Sequence, residues 1–421
     1  MTTATADFAR DDTLGLACNG VPLASIIARV GTPAYIYCAP LVRQAWRRLD
    51  RAFAAVPHAL HYALKANSTI ALLRLLRREG AEADANSGGE IEVALRAGFG
   101  PGQIVFTGVG KSESELRRAV SLGVKAINAE SPGELDRLEA VARDAGTRAR
   151  VAVRVNPDID AGSHTHISTG RRFDKFGVPI EAAPALYREM ARRPALQPVG
   201  VHVHVGSQIT DLEPLRRAAD AAVRLAVALR AEGIGIDHVD LGGGLGIPYD
   251  EAPVPTIEEY AAALLPIVRP AGLTLLLEPG RVIVGSAAVL VARVNDIKAF
   301  PGAPTFAVLD AGMTDLLRPV LYGAYHRIEA VRPRPGARRR YEVVGPLCES
   351  SDTLGKDREL SPLEPGDLVA VFDAGAYGSA MSSTYNRRPL AVEVLVDDDG
   401  WRVIRRRSTV DDLLALEEDG K

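Results

Sequence analysis

Short apolar runs alternate with segments of helical periodicity from about residue 59 to residue 278. Strand-like runs fall at 59–64, 81–85, 103–107, 124–128, 150–155, 199–205, 236–241 and 273–278. Helix-like runs lie between them, at 69–79, 88–97, 113–121, 132–145, 180–192, 212–232 and 256–269. Some begin with a clear start signal, as in Ser131-Pro132-Gly133-Glu134, where Ser is a good N-cap and Pro suits the first helical position. Strands alternating with helices imply βαβ units and parallel pairing. Eight units over roughly 230 residues predict a (β/α)8 TIM-like barrel, with chemistry collected at the C-terminal strand ends. A doubly wound sheet is the alternative, but it wants a glycine fingerprint after its first strand. Here the first run ends in Lys65.

After Arg281 the texture changes. Strand-like runs at 282–298, 305–310, 341–345, 367–372, 390–396 and 401–406 are separated by Gly, Pro and Asp turns. This predicts a second, mostly antiparallel β-sandwich or β-barrel domain. The early run Ala34–Cys38 is expected to join it, giving a barrel over 40–282 and a β domain built from 1–39 together with 283–421. The acidic tail from Asp411 reads as a solvated terminal helix.

Composition narrows the class. A chain of 421 residues with 47% hydrophobic and 24% charged residues is ordinary for a soluble globular protein. A net charge of −3 does not point to nucleic acid or an anionic membrane as partner. Residues Met1–Asp12 carry acids and no apolar core, unlike a signal peptide, and no apolar run approaches the ~20 residues of a membrane span. Cys18, Cys38 and Cys348 form neither a disulfide framework nor a metal-site spacing. They read as small buried hydrophobes in a reducing cytoplasm.

The residues just past each strand carry the chemistry. The chain has seven lysines against 43 arginines, and only Lys can form a Schiff base. Lys65, between apolar residues at a strand end, is therefore a candidate carbonyl-reactive amine. The second strand runs into the polar turn Asp84-Ala85-Asn86-Ser87-Gly88-Gly89-Glu90. The fifth ends in Asn156-Pro157 and opens a long loop to Phe176-Gly177, holding His164, His166 and Thr169-Gly170; loops of that length are usually functional. In the sixth, alternation puts His202 and His204 on one face. Such a pair can bind metal, but no third ligand of suitable spacing is found. His202 reads as a satisfied structural histidine and His204 as an aromatic platform. The seventh ends in Gly242-Gly243-Gly244, whose main chain can approach an anion. The eighth ends in Glu278-Pro279-Gly280-Arg281. An amine for an aldehyde, an imidazole for a ring face, glycines for a phosphate and a carboxylate for a pyridinium are the parts pyridoxal phosphate requires.

These residues resemble the alanine-racemase-like, fold-type III barrel decarboxylases that use pyridoxal phosphate, and most nearly their diaminopimelate decarboxylase branch. The likeness runs from about Gly31 to Pro389. It rests on Tyr62-Ala63-Leu64-Lys65-Ala66-Asn67, His202-Val203-His204-Val205-Gly206-Ser207-Gln208, Gly242-Gly243-Gly244, Glu278-Pro279-Gly280-Arg281, Gly345-Pro346-Leu347-Cys348-Glu349-Ser350 and Gly375-Ala376-Tyr377-Gly378. The resemblance implies a carboxy-lyase releasing carbon dioxide and L-lysine from meso-2,6-diaminopimelate. It implies pyridoxal 5'-phosphate in Schiff base with Lys65, His204 stacked on the ring and Glu278 on the pyridine nitrogen. Asp84, Ser207, Gly243, Gly244, Gly280, Arg281 and Tyr377 would surround the cofactor and its phosphate.

For the substrate the resemblance implies Arg281, Arg318, Tyr322, Glu349 and Tyr377. Cys348 would be the proton donor, and Cys348 and Glu349 would act across the interface of a homodimer. One departure is visible: Ala85-Asn86 stands where the family pattern has Val-Val or Val-Ser, and it touches no assigned catalytic role. The same motifs serve ornithine, arginine and carboxynorspermidine decarboxylases, and a barrel decarboxylase acting on a carrier-bound or polyamine-like substrate or another amino acid of a secondary pathway is the main alternative. A non-catalytic cofactor carrier would not need the Cys-Glu motif, and a racemase would prefer Arg where Glu278 stands.

Overall fold

In a computed structural model, eight parallel strands close on themselves. They are β1 (His58–Ala63), β2 (Glu82–Ala85), β3 (Ile104–Phe106), β4 (Ala126–Ala129), β5 (Ala149–Asn156), β6 (Leu196–Val203), β7 (His238–Asp240) and β8 (Thr274–Leu277). Each pairs with the next in sequence, and β8 returns to β1 with Leu275 opposite His58. Closure leaves no unpaired edge. This is the expected barrel. Residues 8–11, 14–160, 174–250 and 252–417 are described; His164, His166, Thr169 and Gly170 of the loop after β5 lie outside them.

The helices fall where periodicity put them: Ile70–Arg78, Gly88–Ala97, Glu113–Leu122, Pro132–Asp144, Ala183–Ala191, Leu212–Ala231 and Ile257–Val268. Ser87, Ser112, Ser131, Asp211 and Thr256 each accept a main-chain N–H at a helix start. Such caps contribute about 1 kcal/mol each. Val105, Ala126, Val199 and Leu276, from four different strands, form a buried apolar cluster with Ala59 against it.

The chain divides into two compact units, one of Ala45–Ile247 with Pro253–Val282, the other of Met1–Gln44, Pro248–Ala252 and Ile283–Lys421. In the second unit the sheet order is Thr353–Leu360, Arg339–Val344, Phe306–Leu309, Ala288–Lys298, Ala34–Cys38, Val392–Asp397 and Gly400–Arg405. Most pairs are antiparallel; Phe306–Leu309 with Arg339–Val344 and Ala34–Cys38 with Val392–Asp397 are parallel. The early strand joins this sheet, as expected. Alternation selects its core face: Ala34, Ile36 and Cys38, Val289 and Val291, and Val392, Val394 and Val396 cluster with Leu23, Ile26 and Ile27. Cys18 and Cys38 are buried in this cluster, whereas Cys348 is exposed.

Two expectations fail here. The run 282–298 is a strand only from Ala288; Arg281–Val284 is a helical turn and Gly285–Ala287 a 3-10 turn. Ile283 and Val284 are both buried, and a short apolar run without alternation does not distinguish strand from helix. The strand Thr353–Leu360 was missed because its half-exposed sequence, TLGKDREL, is too polar to announce itself. The tail does form a short helix, Val410–Leu414, capped by Thr409.

Candidate active site at the barrel mouth

Lys65 follows β1 on a single 3-10 turn, Leu64–Ala66, whose flanking side chains Leu64 and Ala66 are buried. The turn is tied to the end of β8: Ala63 N–H donates to Pro279 O at 3.1 Å. Gly280 permits that approach, since a Cβ there would lie 2.9 Å from Ala66 Cβ. The Lys65 amine donates to Asp84 Oδ2 at 3.2 Å and to Asn86 Oδ1 at 3.3 Å. Asp84 is buried, and burial pushes its carboxyl up; the Glu278 charge adds to this and the Lys65 charge opposes it.

Glu278, past the end of β8, is also buried. Its Oε1 accepts from Thr107 Oγ1 at 3.1 Å and lies 3.2 Å from His202 Nε2. Thr107 in turn accepts from Asn128 Nδ2 at 3.0 Å. Burial alone would raise the Glu278 carboxyl, but the His202 imidazole overrides it, with Lys65 adding, and holds it well below the usual carboxylate range. Asp240 is pushed the other way, by burial and then by the Glu278 charge. Glu278 therefore carries the charge of this pair and Asp240 the proton. Its second oxygen, Oε2, is buried, and the protonated Asp240 carboxyl is hydrogen-bonded to Glu278.

His202 is buried and its Nε2 faces Glu278, but its Nδ1 has no hydrogen-bond partner among the described residues, so the expectation of a fully satisfied histidine is not met. Sequence spacing offers no third ligand-type residue beside the His202–His204 pair, but the fold brings two to His202. One ligand-type atom from each of His202, Asp240 and Glu278 lies within 4.8 Å of the others.

His204, half-buried past the end of β6, accepts from Gly243 N–H through Nδ1 at 3.2 Å. Burial depresses its pKa well below the ordinary histidine value, with Lys65 and Arg154 adding, which matches a neutral ring with Nδ1 as acceptor. Behind it, Arg154 Nη1 pairs with Glu130 Oε1 at 3.0 Å, and Arg154 Nη2 reaches His204 O at 3.4 Å.

The glycines sit where side chains cannot. A Cβ on Gly243 would fall 2.3 Å from Glu278 O, and Gly244 has φ +117° with its Cβ position 2.6 Å from Gly206 O. Arg281 Nη2 donates to Ser207 Oγ at 3.0 Å, so guanidinium, hydroxyl and bare main chain share one side of the mouth.

The expected residues of the second unit divide into held and exposed. Arg318 is buried: Nη1 donates to His326 Nε2 at 2.6 Å, and its guanidinium lies 4.3 Å from the Tyr249 ring centre. His326 Nδ1 is 2.8 Å from Phe372 O, which places the proton on Nδ1 and the lone pair toward Arg318. Tyr322 and Tyr377 are half-buried; Tyr377 adopts φ +56° within its glycine-flanked turn. Cys348 and Glu349 are exposed, and Glu349 Oε1 accepts from Tyr385 Oη at 2.7 Å.

A family of sequences described as the pyridoxal-dependent decarboxylases, pyridoxal binding domain, matches residues 40–285. The diaminopimelate decarboxylase of Pseudomonas aeruginosa is 46% identical over 402 residues, 96% of this chain and 96% of that protein. The chain belongs to the diaminopimelate decarboxylase family of pyridoxal-dependent decarboxylases. The enzyme of that name from Archaeoglobus fulgidus is 42% identical over 95% of this chain and 96% of its own length. The crystal structure of the Helicobacter pylori diaminopimelate decarboxylase complexed with L-lysine superposes with a TM-score of 0.91 at 41% identity, over 94% of this chain and 100% of that one.

The family's cofactor is pyridoxal phosphate, and these residues fit it. The buried Glu278 carboxylate offers a charged acceptor to a ring nitrogen, the Arg281 guanidinium beside the Ser207 hydroxyl and the bare main chain of Gly243 and Gly244 suits a phosphate, and Lys65 offers the amine. Sequence reading missed Thr107, Asn128 and Asp240, because it weighed no residues after β3 and β4 and only glycines after β7. His326 was missed because its role depends on a fold contact with Phe372 O.

Proposed function

We propose that this chain decarboxylates meso-2,6-diaminopimelate to L-lysine and carbon dioxide as the last step of lysine biosynthesis, in the cytoplasm, with pyridoxal phosphate on Lys65. End-to-end likeness to diaminopimelate decarboxylases, at 46% identity over 96% of the chain, is the observation that carries it. The cofactor supplies an electron sink for the pair left on Cα when carbon dioxide departs.

The chain supplies the rest. Glu278, kept ionised by His202 and Thr107, would accept from the ring nitrogen and keep it protonated. His204, neutral and tethered to Gly243, would lie on the ring face. Ser207, Arg281, Gly243, Gly244 and Tyr377 would hold the phosphate region. Cys348 would return a proton to Cα. Arg318, fixed by His326 and Tyr249, would take the distal carboxylate with Tyr322, and Glu349 the distal ammonium. Exposure of Cys348 and Glu349 suits residues that act on the partner subunit's site in a homodimer.

Purified protein loaded with cofactor should release one carbon dioxide and one L-lysine per meso-diaminopimelate consumed. Preference for ornithine or arginine in competition would overturn the substrate assignment, and no turnover of any of the three would overturn the activity. Arg318→Ala should raise KM by roughly 10²-fold with cofactor retained, since a buried charge contact to substrate is then lost.

A further inference from the structure

Asn86 stands where the resemblance predicted an apolar residue or serine and assigned no role. Its side chain nevertheless lies against Lys65, just past β1, and Asp84, on β2. Nδ2 donates to Asp84 Oδ2 at 3.0 Å, and Oδ1 accepts from Lys65 Nζ at 3.3 Å, while Lys65 Nζ donates to the same Asp84 Oδ2 at 3.2 Å. The three side chains close a small ring. Only one orientation of the amide satisfies it, with nitrogen toward the carboxylate and oxygen toward the amine.

The residue is launched from a fixed platform. Asn86 N–H donates to Glu90 Oε2 at 2.7 Å, and Ala85 O accepts from Thr107 N at 2.8 Å. The Asn86 carbonyl packs so closely on Gly108 that a Cβ there would sit 3.0 Å away. A valine on this platform would present neither donor nor acceptor.

We infer that Asn86 is a positioning residue which, with Asp84, gives the Lys65 amine a defined resting place whenever that amine is not bonded to the cofactor. The inference rests on Lys65 being the cofactor lysine. Were Lys65 bonded to the cofactor's aldehyde carbon, a substrate α-amine would take its place there, one C=N bond forming as the other breaks and both hydrogens of the incoming –NH2 passing to Nζ, with nothing oxidised or reduced. Lys65 leaves that exchange with N–H bonds to satisfy, and Asp84 Oδ2 and Asn86 Oδ1 lie within its reach. When product departs, the same contacts hold the amine at the mouth for the return reaction.

The test separates this role from general disturbance of the site. In Asn86→Val the free-amine state loses a hydrogen bond to a charged or chargeable group, worth about tenfold in an equilibrium constant. Cofactor-free protein titrated with pyridoxal phosphate, with no substrate present, should bind it about tenfold more tightly. The loaded variant should show KM raised by about the same factor, because substrate capture must liberate the now less comfortable amine. Asn86→Ser, which keeps a short polar group, should fall between wild type and valine on both readouts. A merely structural lesion would loosen the cofactor while raising KM. Weaker cofactor binding in both variants, or no change in either readout, would overturn the inference. Failure to turn over diaminopimelate would count against the proposed substrate alone, since the substrate-free titration decides the role of Asn86.

Discussion

Lys65 and Cys348, the two side chains proposed to handle covalent bonding and proton return, are held in opposite ways. Lys65 rises from a three-residue turn with buried neighbours, and its amine has Asp84 and Asn86 as acceptors. Cys348 stands exposed in a loop whose base is held by Asp352, which is buried and accepts Met313 N–H at 2.6 Å and Leu347 N–H at 2.9 Å. The barrel mouth thus brings Lys65, Asp84 and Asn86 together within one chain, whereas Cys348 and Glu349 are exposed. Under the proposed shared site, cofactor binding would need one subunit and turnover two.

The largest expected effect tests the first half of that contrast. Lys65→Ala should abolish turnover, and borohydride reduction of the loaded variant should add no cofactor mass to the chain. A reduced adduct on another lysine would break the assignment. Next in size is Glu278→Ala. Removing the charged acceptor should lower kcat by roughly 10²–10³-fold while cofactor stays bound and absorbs. Unchanged turnover would sink the electrostatic role argued for the His202, Thr107 and Glu278 cluster.

The same contrast explains what could be read from sequence. The barrel was legible because its strands are buried apolar runs and its helices carry periodicity and side-chain caps, both local properties. Lys65, His204, Gly243 and Glu278 were legible because a barrel brings successive strand ends to one face, so ordinal position stands in for contact. Thr107, Asn128 and Asp240 also lie at or near strand ends, but as single uncharged or common residues they gave no signal until the contacts of Thr107 and Asp240 with Glu278, and of Asn128 with Thr107, were known. Asn86 was visible as a departure without an assigned role, and its hydrogen-bond ring with residues 65 and 84 was not, because that ring depends on the register of β1 against β2. His326 required a contact with Phe372 O, 46 residues away. The strand Thr353–Leu360 escaped because an edge strand with few buried positions lacks the alternation that betrays a half-buried one.

A mixing experiment sharpens the second half of the comparison. Lys65→Ala and Cys348→Ala proteins, each inactive or nearly so alone, are exchanged and assayed together. If Cys348 serves the partner subunit, random pairing gives half mixed dimers with one intact site each, hence about a quarter of wild-type activity. No recovery, with subunit exchange verified by mass, would place Cys348 on its own chain's site or remove it from the reaction.

The smallest effect concerns the price of assembling so many carboxyls at the barrel mouth. Glu90 receives the Asn86 N–H, yet its carboxyl is pushed up to about 7, chiefly by burial, with the nearby Asp84 charge adding. A carboxyl raised in the folded chain holds a proton that the unfolded chain has released. Between about 4.5 and about 7 the folded state therefore binds more protons, and stability falls as pH rises through that window. Glu90→Gln keeps an acceptor for Asn86 N–H and has no proton to lose. Urea unfolding of cofactor-free protein should show wild type and variant alike near pH 4.5, with the variant gaining on the order of 2 kcal/mol by pH 8. Parallel pH profiles would mean that Glu90 ionises without cost, and that burial at the mouth is borne by Asp84 and Asp240 alone.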